Sequence, residues 1–417
     1  MIKTIDRYEH DCLYIGQDGF QKVHWEAMVK LNVVHEGAYF DVLHNGIKFK
    51  QFVGVLQIEN LLLQIHPKAD KDDTDSAWRG VLLEMLKACG KIGAQTAGDA
   101  NVKRQNFNLL EVYFEDFLLK VEKLLHNGLI KQYRRKSGNV KALKGKLVFN
   151  QNIRHNLVHK ERFYTTHQVY DKDHFLHQVL ALALDIMGKF TRGSRLNDRW
   201  RRIQLAFPDV KRIKVTAKSL EKIVFNRKTM PYKRAFELAR LIILNYSPDI
   251  NKGTKNMISL LFDMNQLWEE YVYVQLKKEL ESSANSNFNI QAQANKSFWK
   301  FNSLKPDIVI SDKGNGRNFV IDTKWKRPSY SASIQDLRQV YAYARFWKAE
   351  NVMLLYPGNS EQNQSGVFET IDDIQGEKNR HKAYMRFVKV VEDGRLKNNI
   401  GNKIIEAFIN SNLQNTV

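Results

Sequence analysis

The segment from Lys305 to Arg327 reads KPDIVISDKGNGRNFVIDTKWKR, and the fold of the chain can be worked out from it. Two apolar runs, Ile308–Ile310 and Phe319–Ile321, flank a turn-rich stretch, a pattern typical of a β-hairpin. If the hairpin is symmetric about Gly314-Asn315, the residue before the first run lies across from the residue after the second. Asp307 then faces Asp322, with Cβ atoms about 4.5–5.5 Å apart. Two carboxylates at this separation can share a divalent cation.

The residues that follow Asp322 add a positive charge. Side chains alternate along a strand, so Asp322 and Lys324 leave on one face while Thr323 points away. Phosphodiester hydrolysis needs a hard cation that stabilises the transition state and lowers the pKa of an attacking water. A neighbouring lysine can orient or deprotonate that water, and the Thr323 carbonyl is a natural extra ligand. The alternative is an ordinary hairpin with a surface Asp–Lys pair, because Asp-x-Lys is common by chance.

A helical pattern precedes the hairpin, from Phe262 to Val272. A turn-by-turn count places Glu269 on one face with Phe262, Tyr273 and Leu276. A carboxylate on an apolar stripe must be paired or bind a metal, since burying it alone is costly. Glu269 is therefore a third candidate for the site.

A second helical pattern follows the hairpin, from Asp336 to Tyr343. Gln339 and Tyr343 lie four residues apart and so share one side of this helix. A helix with Glu, a hairpin with Asp and Asp-x-Lys, and a helix with Gln-x-x-x-Tyr is the order of a PD-(D/E)XK nuclease core.

With these motifs the chain resembles the McrC family, the nuclease subunits of McrBC modification-dependent restriction systems. The string FDMNxLWExYV from Phe262, the PD and DTKWK pair and the QxxxY helix carry the resemblance in the C-terminal part. Less specific matches lie in Phe52–Leu56, Ile65–Lys68, Leu124–Tyr133, Leu143–Leu147 and Tyr232–Ile242. One departure is His177, where the family has asparagine; it puts in doubt the contacts of that side chain and not the catalytic assignment.

The resemblance implies a Mg²⁺-dependent endonuclease that cleaves methylcytosine-containing double-stranded DNA together with a McrB-like AAA+ GTPase. The site would consist of metal ligands, a lysine that positions or activates water, a glutamate and two supporting residues: Asp307, Asp322 and Thr323; Lys324; Glu269; Gln339 and Tyr343. The resemblance also implies that the N-terminal half enters the pore of the GTPase ring and stimulates hydrolysis. Candidates for that contact are Lys144, Lys146, Arg134 and Arg135.

Those four residues belong to a basic run between Lys131 and Lys160 that contains no Asp or Glu. Such a run indicates either a surface for a polyanion or a nucleotide-bearing partner, or simply a solvated face. His155 and His159 are spaced for a metal on a helix, but no third ligand is near in sequence, so they are taken as part of this basic surface.

Composition narrows the classes of function. The chain has 417 residues and a formal net charge of +20, so an acidic polymer is an expected partner. The two cysteines, Cys12 and Cys89, form no disulfide framework and fit a reducing cytoplasm. We expect neither a signal peptide nor a membrane span. No P-loop motif occurs, so coupling to nucleotide hydrolysis requires another polypeptide.

The predicted fold class is mixed α/β, with a β-rich and helical N-terminal region before a PD-(D/E)XK domain. Three regions are predicted: partner-binding at 1–160, a helical connector at 161–250 and the endonuclease at 251–417. Two alternatives remain: a bridging and activating subunit that does not cut, and a sequence-specific enzyme that acts alone. The second is disfavoured because no zinc finger or base-reading helix is recognisable in the N-terminal half.

Overall fold

The structure is a computed structural model, and it shows a mixed α/β chain, as predicted. The residues that it describes are 2–68, 80–93, 108–248, 256–282, 288–314, 316–326, 328, 331–369, 381–392, 395–397 and 399–413. Within these residues, no helix is both long and apolar enough to cross a bilayer.

The chain forms two compact units. Unit 1 combines residues 1–56, 60–107 and 261–417, and unit 2 holds residues 57–59 and 108–260. This division differs from the three predicted regions, because the N-terminal strands share a unit with the predicted nuclease. The predicted connector belongs to the same unit as the basic run.

The N-terminal part of unit 1 contains both strands and helices, as predicted for this region. Its elements are β1 (Lys3–Tyr8), β2 (Cys12–Tyr14), α1 (Lys22–Val34), β3 (Phe40–Leu43), β4 (Gly46–Phe49), β5 (Phe52–Ile58), β6 (Leu61–His66) and α2 (Val81–Ala88). β1 runs parallel to β6, and β2, β4 and β3 form a small antiparallel sheet. The chain bends between β4 and β5, so Phe49 and Phe52 belong to different strands.

Unit 2 is described by itself. Its elements are α3 (Leu109–His126), β7 (Gln132–Val140), β8 (Lys146–Leu147), α4 (Phe149–Asn156), β9 (Phe163–Asp171), α5 (Phe175–Met187), α6 (Asn197–Ala206), α7 (Ala217–Glu221), α8 (Lys233–Leu244) and β10 (Tyr246–Pro248). β11 (Asn256–Asp263) leads from unit 2 into unit 1. β7 and β9 form a long antiparallel pair, and helices α3, α5 and α8 pack through buried apolar faces.

The C-terminal part of unit 1 contains the predicted nuclease motifs. Its elements are α9 (Met264–Ser282), β12 (Phe288–Ala292), β13 (Lys296–Trp299), β14 (Asn302–Leu304), β15 (Ile308–Asp312), β16 (Asn318–Thr323), α10 (Ile334–Trp347), β17 (Ala349–Pro357), β18 (Gln364–Val367), β19 (Lys382–Val388), β20 (Val391–Glu392), β21 (Arg395–Leu396) and α11 (Ile400–Leu413).

A six-stranded sheet organises this part of unit 1, in the order β12-β15-β16-β17-β19-β18. β16, β17 and β19 are parallel, and the remaining neighbours are antiparallel. α10 packs on the sheet, with Val340, Ala344 and Trp347 in the shared core. The Ser333 side chain caps this helix by accepting a hydrogen bond from the Asp336 amide at 3.1 Å.

The helix before the hairpin begins later than predicted. Phe262 and Asp263 are the last residues of β11, and α9 begins at Met264. The Asp263 side chain accepts a hydrogen bond from the Asn265 amide at 2.8 Å, which favours a helix start at this point. Phe262 therefore does not share a helix face with Glu269, and that prediction is wrong; Leu276 on the same helix is fully buried.

Candidate active site

The register of the hairpin places two carboxylates opposite each other. β15 and β16 pair with Ile308 across from Ile321, and one further residue in the same register places Asp307 across from Asp322. This is the register predicted from the turn and the flanking apolar runs. Asp307 directly precedes β15 and Asp322 is the second-last residue of β16, so both lie at the same end of the hairpin.

Asp307 is held by the opposite strand. Its Oδ2 atom accepts hydrogen bonds from the Thr323 amide at 2.6 Å and the Thr323 hydroxyl at 2.9 Å. Two donors on one oxygen fix the carboxylate and favour its ionised form. The sequence had suggested only the Thr323 carbonyl as a contributor to the site, whereas the structure shows that its amide and hydroxyl orient Asp307.

Asp322 and Lys324 form a buried ion pair. The Lys324 Nζ atom lies 2.7 Å from Asp322 Oδ2, and the Asp322 side chain is only 1 % exposed. Both side chains leave the strand on one face, as the alternation predicted. The pair is not the surface Asp–Lys pair of the alternative interpretation, because burying these charges is costly unless they serve each other or a ligand.

Helix α10 adds an amide and a phenol to this pair. Gln339 Oε1 accepts a hydrogen bond from Lys324 Nζ at 3.2 Å, while its Nε2 donates to Asp322 Oδ1 at 3.3 Å and to the Tyr343 hydroxyl at 2.8 Å. Tyr343 in turn donates to the Lys305 carbonyl at 3.2 Å. The structure thus brings together Asp322, Lys324, Gln339 and Tyr343, which were predicted from separate motifs.

Glu269 on α9 joins the site through a residue that the sequence did not indicate. The Gln293 side chain donates from Nε2 to Glu269 Oε1 at 2.6 Å. The backbone N–H of Gln293 donates to the backbone carbonyl of Asp307 at 2.8 Å. Gln293 has a left-handed φ of 50°, an uncommon conformation for a residue other than glycine. A glutamine in a polar segment carries no sequence signal, so only the fold shows that it links α9 to the hairpin.

The acidic groups of the site are difficult to ionise. Burial, followed by repulsion from Asp307, raises the pKa of Asp322 to about 7. Burial also raises the pKa of Asp307, against the opposing effect of the Thr323 hydrogen bonds. For Glu269, burial and the Asp307 charge raise the pKa. These shifts have one common cause, which is negative charge confined in a poorly solvated place.

Lys324 responds to the same charges in the opposite direction. Burial alone would lower its pKa, but the charge of Asp322 and the hydrogen bond to it raise the pKa above the usual value. Lys324 is therefore an ammonium group at neutral pH. It can orient a water or contact a phosphate oxygen, but it is not poised to take a proton.

The donor atoms of the site fit a hard cation. Asp307 and Asp322 offer carboxylate oxygens in a buried place where positive charge relieves their repulsion, and oxygen ligands are those that Mg²⁺ prefers. Among the residues that the structure describes, no three Asp, Glu, His or Cys side chains are grouped tightly enough to hold a metal by themselves. The ligand set would thus be completed by backbone carbonyls and water, which is usual for Mg²⁺.

A second residue that sequence analysis missed is Glu9, which directly follows β1 and contacts the motif. The Trp325 indole Nε1 donates to Glu9 Oε1 at 2.7 Å, and the Lys68 amide donates to the same oxygen at 2.7 Å. Trp325 directly follows Lys324. Its ring packs against that of Trp268 in a tilted arrangement, with ring centroids 5.6 Å apart. Burial raises the pKa of Glu9 to about 7.

The four basic residues predicted to contact a partner all lie in unit 2, on β7, β8 and the loop between them. Arg134 is half-buried and forms ion pairs with Asp171 at 2.9 Å and Asp173 at 3.0 Å. Both acidic partners follow the basic run between Lys131 and Lys160 in the sequence. Arg135, Lys144 and Lys146 are exposed.

Gly145 explains the spacing of the Lys-Gly-Lys string. Its φ is 66°, and a Cβ atom at this position would lie 2.6 Å from the Thr166 carbonyl oxygen on β9. Only glycine fits such a close approach in the left-handed conformation. The two flanking lysines are thereby presented on a tight connection at the edge of the sheet.

His177 replaces the asparagine of the resemblance without leaving a gap. It is fully buried, its Nδ1 lies 2.7 Å from the Lys172 carbonyl and its Nε2 lies 3.2 Å from the Tyr232 hydroxyl. Burial and the neighbouring His174 lower the pKa of His177 to about 4, so the ring is neutral. It belongs to unit 2 and supports the fold there.

The two histidines of the basic run have different partners. His155 stacks on Tyr164, with ring centroids 5.4 Å apart, and His159 lies 3.2 Å from Glu161. They lie on a surface rich in basic residues, as expected.

The chain matches one family model and is similar to solved structures. A family model described as McrBC 5-methylcytosine restriction system component matches residues 47–357. A solved structure, the refined half-complex from the tetradecameric assembly of Thermococcus gammatolerans McrB AAA+ hexamers with bound McrC, has a chain 21% identical with a TM-score of 0.64, over 97% of this chain and 100% of that chain. The cryo-EM structure of the Thermococcus gammatolerans McrBC complex gives 23% identity and a TM-score of 0.48, over 66% of this chain and 88% of that chain.

A search of curated protein sequences finds no match. The first solved structure shows that the fold of this chain is shared along nearly its whole length. The family model covers well over half of the sequence, and the chain therefore belongs to the family of McrBC 5-methylcytosine restriction system components.

Proposed function

We propose that this chain is the Mg²⁺-dependent endonuclease subunit of its restriction system, cleaving methylcytosine-containing double-stranded DNA. The observation that carries the proposal is the buried Asp322–Lys324 pair, with Asp307 in register across the hairpin and Gln339 bonded to both members of the pair. Structural ion pairs are seldom placed where two further carboxylates are crowded against them.

The order of elements supports a PD-(D/E)XK core. Helix α9 with Glu269 precedes the hairpin of β15 and β16, and α10 follows and packs on the sheet. The acidic and basic groups converge where β16, an interior strand of the mixed sheet, ends. Unit 1 thus supplies every side chain that the proposed chemistry requires.

In the proposed reaction, Asp307 and Asp322 hold Mg²⁺, with the Thr323 carbonyl as a further ligand. Bound Mg²⁺ supplies Lewis-acid stabilisation and lowers the pKa of the attacking water. The water oxygen forms a bond to phosphorus and loses its proton to solvent, while one phosphorus–oxygen ester bond breaks and the leaving oxygen takes a proton from solvent. The products are a phosphate monoester and a hydroxyl end.

The remaining residues position the reacting groups. The ammonium of Lys324 orients the water and offsets charge on the phosphate. Gln339 fixes Lys324 and Asp322 relative to each other, because one amide contacts both. Glu269 binds the metal through water or orients Lys324. Tyr343, whose pKa burial raises to about 12, stays protonated as a hydrogen-bond donor.

The substrate and the place of action follow from charge and composition. A net charge of +20 favours a phosphate backbone, whose contacts position DNA without reading its sequence. Recognition of the modified base is assigned to the partner. The cysteine content fits a cytoplasmic protein.

We further propose that unit 2 binds and stimulates a McrB-like AAA+ GTPase. The similar solved chain is a McrC bound to McrB AAA+ hexamers, and this sequence contains no P-loop of its own. In unit 2, Phe149, Ile153 and Leu157 are exposed at helical spacing on and after α4, close in sequence to Lys144 and Lys146. Apolar side chains rimmed by basic ones are typical of a protein-binding surface.

Cleavage of methylated and unmethylated plasmid tests the proposal. The reaction contains Mg²⁺, GTP, this chain and its cognate NTPase, and compares wild type with Lys324→Ala and with Lys313→Ala, an exposed lysine in the same hairpin. Wild type and Lys313→Ala are expected to cut methylated plasmid, and Lys324→Ala is expected to cut about 100-fold more slowly or not at all. All three should stimulate the GTPase equally.

The alternative function is a bridging and activating subunit that does not cut. It is supported if all three proteins stimulate the GTPase while none cleaves either plasmid. Equal cutting by Lys324→Ala and wild type would remove the proposed role of the lysine.

A further inference from the structure

A second hairpin, formed by β13 and β14, carries exposed aromatic residues beside the proposed site. Trp299 is 63% exposed and Phe301 is fully exposed. Lys300 lies between them with a left-handed φ of 47°, so the three residues form the tip of the hairpin. The Lys300 Nζ atom lies 5.7 Å from the centre of the Trp299 ring. Two large aromatic side chains exposed two residues apart at one hairpin tip require an explanation.

The base of this hairpin is fixed, so its tip has a defined place. Lys296 Nζ donates to the Phe346 carbonyl at 2.8 Å and lies 4.9 Å from the Trp347 ring centre, at the end of α10. Phe298 packs edge-on against Phe346 with ring centroids 5.4 Å apart. A register shift between Ser297 and Trp299 separates Phe298 from the strand pairing. Phe298 is thus an anchor, and Trp299 and Phe301 are not needed for packing.

Both ends of the hairpin are bonded to the proposed nuclease site. Before β13, Gln293 contacts Glu269 and the Asp307 carbonyl; after β14, the Lys305 carbonyl accepts a hydrogen bond from Tyr343. A strand rises about 3.3 Å per residue, so Phe301 lies roughly 13 Å from Lys305 along the strand. That length corresponds to about four nucleotides of B-DNA, at 3.4 Å per step.

The charge of this region matches that of DNA. Lys296, Lys300 and Lys305 lie on or beside the hairpin, and no Asp or Glu occurs between Glu281 and Asp307. Aromatic residues interleaved with lysines are the pattern by which proteins stack on bases while contacting phosphates. Apolar side chains that enter between base steps also bend the duplex beside them.

We propose that the β13–β14 hairpin is a DNA-binding wedge, with Trp299 and Phe301 stacking against bases a few nucleotides from the scissile phosphate and Lys300 contacting the backbone. The inference rests on the proposed nuclease function for the location of the DNA. It goes further in assigning duplex binding to a part of unit 1 that contains no catalytic group.

Fluorescence anisotropy with a labelled 30-base-pair duplex tests the wedge on the full-length chain. EDTA is present, so cutting plays no part in the result. Trp299→Ala with Phe301→Ala is expected to weaken binding about tenfold, since the contacts that two inserted rings gain exceed the cost of unstacking a base step. Trp299→Phe with Phe301→Tyr should bind within about twofold of wild type, because it keeps both rings. Lys300→Ala should reduce the salt dependence of binding by about one phosphate contact.

Tyr14→Ala, which removes an exposed aromatic residue on β2 of the same unit, serves as the matched control and should bind like wild type. Phe301→Ala alone separates binding from folding, because a fully exposed ring contributes no packing; it should weaken binding about fivefold with an unchanged melting temperature. Unchanged duplex affinity in the double alanine variant overturns the proposal. Loss of GTPase stimulation with unchanged duplex affinity also overturns it, since the hairpin then contacts the protein partner.

The EDTA measurement also separates the wedge from the proposed nuclease function. If wild type fails to cut any plasmid but the double alanine variant binds duplex more weakly, the wedge stands and the nuclease assignment fails. If wild type cuts and the double alanine variant binds and cuts equally well, the reverse holds.

Discussion

The proposed nuclease site in unit 1 and the basic surface of β7 and β8 in unit 2 hold their charged residues in opposite ways. At the hairpin of unit 1, Asp322, Lys324 and Gln339 are tied into one buried network, and each polar atom of the pair has a fixed neighbour. On the sheet of unit 2, Arg135, Lys144 and Lys146 are exposed. Chemistry on a phosphate requires charges at fixed distances, whereas docking tolerates mobile side chains that become ordered on contact. This contrast supports the proposal that catalysis belongs to unit 1 and partner binding to unit 2.

The sharpest test of this comparison is Asp322→Asn. The variant keeps the shape of the side chain but loses the charge that holds Lys324 and the metal, so we expect cleavage to fall about 1,000-fold or more. Stimulation of the partner GTPase should stay within about twofold of wild type. Rates of plasmid cleavage and GTP hydrolysis measure both effects.

Asp312→Asn is the matched control for that variant. Asp312 lies in the same hairpin and accepts a hydrogen bond from the Gly314 amide at 2.8 Å, which an asparagine oxygen also accepts. It should cut like wild type. If Asp322→Asn abolishes GTPase stimulation as strongly as cleavage, the two activities do not map to separate units.

Glu9→Gln tests how tightly unit 1 holds a buried charge. The pKa of Glu9 is raised from its ordinary value to about 7, so the folded state favours the protonated form. Ionisation between about pH 4.5 and 7 therefore lowers the free energy of unfolding of wild type. Glutamine keeps an oxygen that accepts from Trp325 and Lys68 and does not ionise. The variant should gain about 3 kcal/mol relative to wild type between pH 4.5 and pH 7.

Urea unfolding at several pH values measures this difference. The titratable groups beside Glu9 include His10, whose Nε2 lies 3.9 Å from Glu9 Oε2, and Asp263, whose charge contributes to raising the pKa of Glu9. A constant difference between the variant and wild type across this range contradicts the assignment of a buried, titrating Glu9.

A smaller effect is expected at the exposed apolar surface of unit 2. Replacing Phe149 and Ile153, four residues apart on α4, with serine should weaken partner binding and GTPase stimulation about tenfold, because interface residues of this kind supply much of the affinity. Leu205→Ser, an equally exposed residue on α6 of the same unit, is the control and should behave like wild type. Titration of the GTPase rate with each variant measures the change. An effect of Leu205→Ser as large as that of the pair would mean that the surface is not specific.

The smallest effect is expected from Lys144→Ala with Lys146→Ala. Exposed charges alter association rate more than affinity, so binding should weaken only about threefold, and less at high salt. Arg134→Ala should instead act on the β7–β9 pair, since Arg134 is already bonded to Asp171 and Asp173. Binding kinetics at several salt concentrations, measured for wild type, the double lysine variant and Arg134→Ala, check these expectations. A salt-independent loss of binding would contradict an electrostatic role of the two lysines.

Local sequence patterns predicted the hairpin and its register because both depend on short-range physics. The positions of the two apolar runs and of the central turn fix which residues face each other. Ile308 pairs with Ile321, as this reasoning predicted. Gln339 and Tyr343 share a helix side through simple periodicity, and the structure places both beside Asp322. These features required no knowledge of distant contacts.

Contacts between distant parts of the chain were not predictable in this way. Glu9 and Trp325 are 316 residues apart, and Gln293 and Glu269 lie on different elements. The helix was predicted to begin at Phe262, too early, because the end of β11 continues the helical pattern by chance. The observed start is Met264. The pairing of Arg134 with Asp171 was hidden because strands β7 and β9 bring together residues outside any local window.

The long separation between Glu9 and Trp325 has a consequence for biosynthesis. A ribosome that adds about 5–20 residues per second needs roughly 15–60 seconds to reach Trp325 after Glu9 has been made. During that interval Glu9, which directly follows β1, lacks the tryptophan that later covers its carboxylate, and unit 2 can complete its fold first. A nascent chain therefore has time to fold the part assigned to partner binding before the part assigned to DNA cleavage is complete.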